Sequence, residues 1–167
     1  MISAGIITAS DKGARGERVD ESGKLIGELL RGIGAEVVYY QIVPDERENI
    51  SAVLKELADE MSIDLILTTG GTGFSPRDIT PEATLDVIER QIPGIPEAMR
   101  MKSLEITPMA MLSRAVAGIR KKSIIINLPG SPKGVAECLP VILPALPHAI
   151  QILKGTASEC AGENDRP

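Results

Sequence analysis

Aromatic side chains are almost missing from this 167-residue chain, which has two tyrosines, one phenylalanine and no tryptophan. The core must therefore be built from Ile, Leu, Val, Ala and Met. The stacking platforms that usually hold single-stranded nucleic acid are absent. An excess of positive charge is absent too: the formal net charge is -5, so there is no general electrostatic footprint for DNA or RNA. An anionic ligand has to be held by local donors. Cys138 and Cys160 lack metal-ligand spacing and cannot form a disulfide framework, and the single histidine, His148, excludes the common zinc motifs. No apolar stretch reads as long enough to span a bilayer, and no basic region precedes the first apolar run as in a signal peptide. These absences predict a cytoplasmic protein with neither a membrane nor a nucleic-acid partner.

What is present is a pattern of short apolar runs separated by helical ones. Runs at 2–8, 37–43, 63–69 and 123–128 are nearly continuous in apolar residues, which predicts strands buried on both faces of a parallel sheet. Leu25, Ile26, Leu29, Leu30 and Ile33 form one helical stripe stopped by Gly34. Ile50, Val53, Leu54, Leu57 and Met61 form a second, with Asp45 and Glu48 spaced as a capping box at its start. A third helix is expected from Pro81 with Thr80 as its cap, another over 97–105, and a last one from Pro132, broken by Pro140, Pro144 and Pro147. Residues 113–119 predict a short extra strand that hairpins into the 123–128 run. The whole predicts one three-layer, Rossmann-like α/β domain over 1–153, with a mostly parallel sheet and one antiparallel hairpin strand. The polar, patternless residues 154–167 are expected to be a disordered tail.

Chemistry collects just after the four strands. Ser10-Asp11, Pro44-Asp45, Gly70-Gly71-Thr72-Gly73 and Asn127-Leu128-Pro129-Gly130-Ser131 would all meet at the carboxyl edge of a parallel sheet, where such folds bind ligands. Glycines at 70, 71 and 73 let bare N–H groups approach an anion, although the Walker and dinucleotide spacings are missing. Taken alone, this is also an ordinary tight turn. Ser131 as cap and Pro132 as first helical residue would put Lys133 in the first turn, where the helix dipole disfavours a cation by ~0.3–1 kcal/mol. A bound phosphate would turn that mismatch into attraction, whereas a solvated lysine is the plainer reading. Asp45 and Asp78 each have a local explanation, as a cap and as a turn residue beside Arg77. Together at one crevice they suit Mg²⁺ and phosphoryl chemistry. Arg77, Arg100 and Arg114 rank lower as phosphate partners. Phe74 is read first as a packing residue, with contact to a flat ligand as the alternative, and Cys138 and His148 are assigned no chemistry.

The run TTGGTGFSPRDITPEA at 68–83, the stretch SRAVAGIRKKSIIINLPGSPKG at 113–134 and the early SD and PDE turns resemble the MogA/MoaB family, which includes the G domain of gephyrin. The resemblance covers essentially all of residues 1–153. It implies a Rossmann-like fold, a homotrimer, and adenylylation of molybdopterin from ATP with Mg²⁺ and release of pyrophosphate. A hand-off to a metal-insertion enzyme would follow, with molybdenum or tungsten as the metal. It places Asp45 and Asp78 on the two aspartates tied to catalysis, and the 70–73 and 127–131 loops on nucleotide- and pterin-binding segments. The alternative within the same fold is a non-catalytic molybdopterin carrier or scaffold. The intact aspartates favour the enzyme.

Overall fold

The structure is a computed structural model and describes residues 1–156. In chain order its elements are β1 (Ile2–Ala9), α1 (Asp11–Ala14), α2 (Glu21–Leu30), β2 (Ala35–Val43), α3 (Arg47–Asp59), β3 (Leu65–Thr69), α4 (Thr80–Leu85), β4 (Arg90–Gln91), α5 (Gly94–Leu104), β5 (Ala117–Arg120), β6 (Ser123–Leu128), α6 (Pro132–Ile142) and α7 (Leu146–Lys154). The six strands form one sheet in the order β2-β1-β3-β6-β5-β4. The first four run parallel, and β5 lies antiparallel to both β6 and β4.

Strand periodicity divides the core. Ile6, Leu65, Leu67, Ile124 and Ile126 point to one face, where they pack with Ile26, Leu30, Met99, Val135 and Leu139 from α2, α5 and α6. The intervening Ile7, Ile66 and Ile125 point to the other and meet Ile50, Leu54 and Leu57 of α3 and Ala83 of α4. Helices thus cover both sides of the sheet, giving the three layers that the sequence pattern predicts. The chain leaves β1 toward β2 and then returns past it to β3, so the strand order reverses between β1 and β3. Ligand crevices form at such a switch point.

Several local expectations change. β2 lies at the sheet edge, and Val37, Val38 and Tyr40 are exposed, so its apolar run does not mark burial on two faces. α3 ends at Asp59, short of the exposed Met61, and its N-cap is Glu46, with no side-chain cap bond. Asp45 is thereby released from the capping role. At α4 the cap is Ile79, and Thr80 is already helical. The hairpin strand begins only at Ala117, turning into β6 through Lys121 at φ 49°. β4, two residues long, has no signal in the sequence pattern.

The helical run Pro132–Lys154 is, at 23 residues, long and apolar enough by composition to cross a membrane, contrary to expectation. Its Val135, Leu139, Ile142, Leu146 and Ile150 are buried against the sheet, which makes it a core helix of this domain. Gly155 closes α7 in the left-handed conformation, and the Thr156 N–H donates to the Gln151 carbonyl at 2.9 Å. The rest of the expected tail, 157–167 with Cys160, lies outside the described residues.

Candidate functional site

Register sets the site. Ala9 pairs with Val43, Thr8 with Thr69, and Thr69 with Leu128, so β1, β2, β3 and β6 end at one level. The four polar clusters therefore emerge side by side on one edge. Gly70 and Gly71 have φ of 93° and 67°, a region that residues with a Cβ rarely adopt. A Cβ at Gly70 would run into the Ala9 carbonyl oxygen, and one at Gly71 into Thr80 Oγ1. Gly130 packs on Gly70, Thr69 Oγ1 donates to the Pro129 carbonyl at 2.6 Å, and Ser22 Oγ donates to the Gly130 carbonyl at 2.8 Å. These contacts bind the two loops into one ridge.

A cleft lies on each side of the ridge. One, of about 710 Å³, is lined by Ser10, Asp45, Gly70, Gly71, Asp78, Gly130 and Ser131. The other, of about 400 Å³, takes Thr72, Gly73, Pro129, Lys133 and again Ser131, backed by Met99 and Met109. Ser131 caps α6, its Oγ accepting from the Gly134 N–H at 3.0 Å, and the start of the helix opens toward both clefts. Lys133 stands 80% exposed with Glu137 at 4.0 Å, a separation at which the pair contributes little.

Asp45 and Asp11 are fastened to each other. The Asp11 N–H donates to Asp45 Oδ2 at 2.9 Å, and the Asp45 N–H donates to Asp11 Oδ1 at 3.0 Å. Arg77 grips Asp11 through two nitrogens and reaches Glu46 at 2.9 Å. Its hydrogen bonds lower the Asp11 pKa, helped by the Asp45 N–H. Asp45 shifts the other way. Burial raises its pKa, and the negative charges of Asp11 and Asp78 add to the rise while the Asp11 N–H opposes it. Asp78 Oδ2 accepts from the Ser75 N–H at 2.9 Å within its own turn.

A divalent cation has suitable neighbours here. Asp45 and Asp78 line the same cleft, and Thr80 Oγ1 is buried with no hydrogen-bond partner among the described residues. The absent Cβ of Gly71 leaves space between that hydroxyl and Asp45 Oδ1. Among the described residues no group of three or more His, Cys, Asp or Glu could hold a metal by itself. This donor set suits Mg²⁺, which commonly binds one or two carboxylates and completes its shell with water and substrate phosphates.

Two expected ligand residues sit elsewhere. Asn127 is fully buried and lines neither cleft. Its Nδ2 donates to Thr68 Oγ1 and Thr84 Oγ1 at 2.9 and 2.8 Å, and its Oδ1 accepts from the Val116 N–H. It ties β6 to β3, α4 and the hairpin behind the loop. Asp11 is likewise absent from the cleft wall and is hydrogen-bonded to Asp45.

The opposite wall of the larger cleft is formed by Thr8, Arg18, Asp20 and Ser22, none of which the sequence pattern singles out as site residues. Asp20 caps α2 at the Gly23 N–H and accepts from Thr8 Oγ1 at 2.5 Å and the Tyr40 hydroxyl at 2.7 Å. An Asp just before the helical stripe that begins at Leu25 was the available signal.

A doubly wound α/β domain with glycine-rich loops, a helix start and two carboxylates at its switch point has the architecture in which phosphorylated ligands are commonly bound. The family model described as "Probable molybdopterin binding domain" matches residues 5–148, and the chain belongs to that family. It is 46% identical over 165 residues to the molybdopterin adenylyltransferase of Helicobacter pylori (strain ATCC 700392 / 26695), covering 98% of this chain and 94% of that one. Against the molybdopterin adenylyltransferase of Escherichia coli (strain K12) identity is 40%, with 95% and 89% covered. The solved structure of the molybdopterin biosynthesis enzyme MoaB from Thermus thermophilus superposes with a TM-score of 0.88 at 53% identity, over 93% of this chain and 98% of that one.

Proposed function

We propose that this protein is a molybdopterin adenylyltransferase, a nucleotidyltransferase that joins AMP from ATP to the terminal phosphate of molybdopterin and releases pyrophosphate. One observation carries the reading. Asp45 and Asp78 face one cleft walled by the glycine loop and the start of α6, in a chain 46% identical, over nearly its whole length, to a molybdopterin adenylyltransferase.

The reaction makes few demands on a base. A phosphate monoester has a second pKa of about 6 and is mostly ionised near pH 7, so its oxygen attacks the α-phosphorus of ATP without losing a proton to the protein. A new P–O bond forms there as the bond to the β-phosphate breaks. Among the described residues no histidine lines either cleft. What the chain must do is hold two anions together and neutralise their repulsion. The N–H groups of Gly70 to Gly73 and the start of α6 are placed to receive phosphate oxygens, and Asp45 and Asp78 would hold Mg²⁺. The metal, when bound, supplies positive charge to the phosphates. The Thr8, Asp20 and Ser22 wall is hydrogen-bonded in advance and shapes the cleft.

A homotrimer, a cytoplasmic setting and delivery of the product to a metal-insertion enzyme belong to the same reading. Mass spectrometry of molybdopterin incubated with the protein, ATP and Mg²⁺ tests it. Gain of one adenylyl group supports the enzyme; tight binding of unaltered molybdopterin would make the chain a carrier.

A further inference from the structure

Loop 72–78 carries Asp78 to the cleft, but its internal bonds, such as the Asp78 N–H to the Ser75 carbonyl at 2.9 Å, fix only its shape. Its seat depends on a residue far along the chain. Arg114 Nε donates to the Gly73 carbonyl at 2.7 Å, and its Nη2 donates to the Asp78 carbonyl at 2.7 Å. The remaining terminal nitrogen pairs with Glu82 of α4. The Arg114 backbone N–H donates to the Thr72 carbonyl at 3.0 Å. One residue thus grips the loop at its start, at Gly73 and at Asp78.

The grip is itself supported. Arg100 of α5 donates to the carbonyls of Ser113 and Ala115, at 3.3 and 3.2 Å, on both sides of Arg114. The other polar tether of the loop, Arg77 to Asp11 and Glu46, involves a half-exposed arginine and is open to screening. Arg114 and Glu82 are each about two-thirds covered.

We propose that Arg114 is a positioning residue that sets where the Asp78 carboxylate stands in the cleft. The inference rests on the proposed role of Asp78 in holding Mg²⁺. A planar guanidinium can aim separate N–H groups at two carbonyls and a carboxylate at once, and a lysine cannot reproduce that fork. Arg114→Lys keeps the charge beside Glu82, whose Oε2 is buried without a partner among the described residues. It gives up the two carbonyl bonds. That separates placement of the loop from compensation of Glu82.

In full-length protein, Arg114→Lys should melt within a few degrees of wild type. Its turnover should fall by about 10²-fold, as expected when a reacting group is misplaced by an ångström or so. KM for molybdopterin should change little, and the Mg²⁺ concentration for half-maximal rate should rise about tenfold or more. Amide hydrogen exchange over 73–78 should speed up without any metal or substrate present. Glu82→Gln, which weakens the hold on Arg114 but leaves an acceptor, should shift the same quantities less and in the same direction. If Arg114→Lys folds poorly, the Glu82→Gln measurements decide. Wild-type metal dependence and unchanged exchange over 73–78 in both variants would overturn the proposal. If the wild-type protein transfers no AMP, the proposed function fails, and amide exchange alone then judges whether Arg114 seats the loop.

Discussion

Asp11 and Asp45, 34 residues apart, each accept the other's backbone N–H, at 3.0 and 2.9 Å, and so lock the end of β1 to the end of β2. The two carboxylates are treated differently. Arg77 lowers the Asp11 pKa, while burial first, and the neighbouring Asp11 and Asp78 charges next, raise that of Asp45. The chain accepts an unfavourable, partly buried charge at the position expected to meet a cation.

This has a consequence for stability. Because the native pKa of Asp45 is raised, its ionised form weakens the fold above that pKa, and the effect disappears as pH falls through it. Asp45→Asn, which keeps an acceptor for the Asp11 N–H, should therefore raise Tm near pH 7 without Mg²⁺. The gain should vanish as pH falls toward the ordinary carboxylate value of about 3.9. Mg²⁺ should raise the Tm of wild type but not of the variant. Thermal melts across pH, with and without the metal, check both statements.

Asp78→Asn should fold normally, because its side-chain oxygen still accepts from the Ser75 N–H. Turnover should drop by about 10²-fold or more, with part restored at high Mg²⁺, while molybdopterin still binds. The wild-type rate should be flat above about pH 7, where the attacking phosphate is fully ionised. Steady-state rates over pH and Mg²⁺ concentration test this. A rate that climbs through a protein pKa in that range and ignores Mg²⁺ would falsify the metal-holding role.

Lys133→Ala separates a phosphate contact from a solvated lysine. The side chain is 80% exposed, and its partner Glu137 is 4.0 Å away. Removing a cation from the positive end of α6 should leave Tm unchanged or raise it slightly, an effect of at most ~0.3–1 kcal/mol. Ligand affinity should fall. Calorimetry showing unchanged affinity would assign the lysine to solvent.

Asp59 and Arg120 form a two-pronged pair, at 2.9 and 2.5 Å, between the end of α3 and β5. The Arg120 hydrogen bond, more than any other contact, lowers the Asp59 pKa to about 2. A depressed carboxylate stabilises the native state above its unfolded pKa, and that contribution is lost as pH falls through about 2. Asp59→Asn should accordingly lower Tm at pH 7, and the difference should close in strong acid. Both side chains keep about a fifth of their surface in solvent, and because solvent-screened pairs contribute modestly, a shift of a few degrees is expected.

Much of this was legible in the sequence because strand runs and turn glycines act locally. β1, β3 and β6 follow from buried apolar runs, and the crevice follows from what comes after each of them. β2 misled because an edge strand can carry Val37, Val38 and Tyr40 on an open surface. Asp45 misled because the spacing to Glu48 cannot say which N–H a carboxylate will meet, and here it is that of Asp11, in another segment. The same limit applies to Asn127, whose partners Thr68, Thr84 and Val116 are neighbours only after folding. Arg114 is the plainest case: its value lies in carbonyls 36 and 41 residues earlier.

Homotrimerisation is checked by light scattering on the purified protein, which should report about three chains per particle. A monomer at micromolar concentration would remove the trimer and leave the catalytic assignment intact.

Pyrophosphate release from ATP in the presence of Mg²⁺, followed as molybdopterin is added, reads the adenylyl transfer itself. An adenylyltransferase releases none without molybdopterin, and with it one pyrophosphate for each adenylylated molybdopterin formed. Saturable binding of molybdopterin with no pyrophosphate, or ATP cleavage that ignores molybdopterin, would contradict the adenylyltransferase reading.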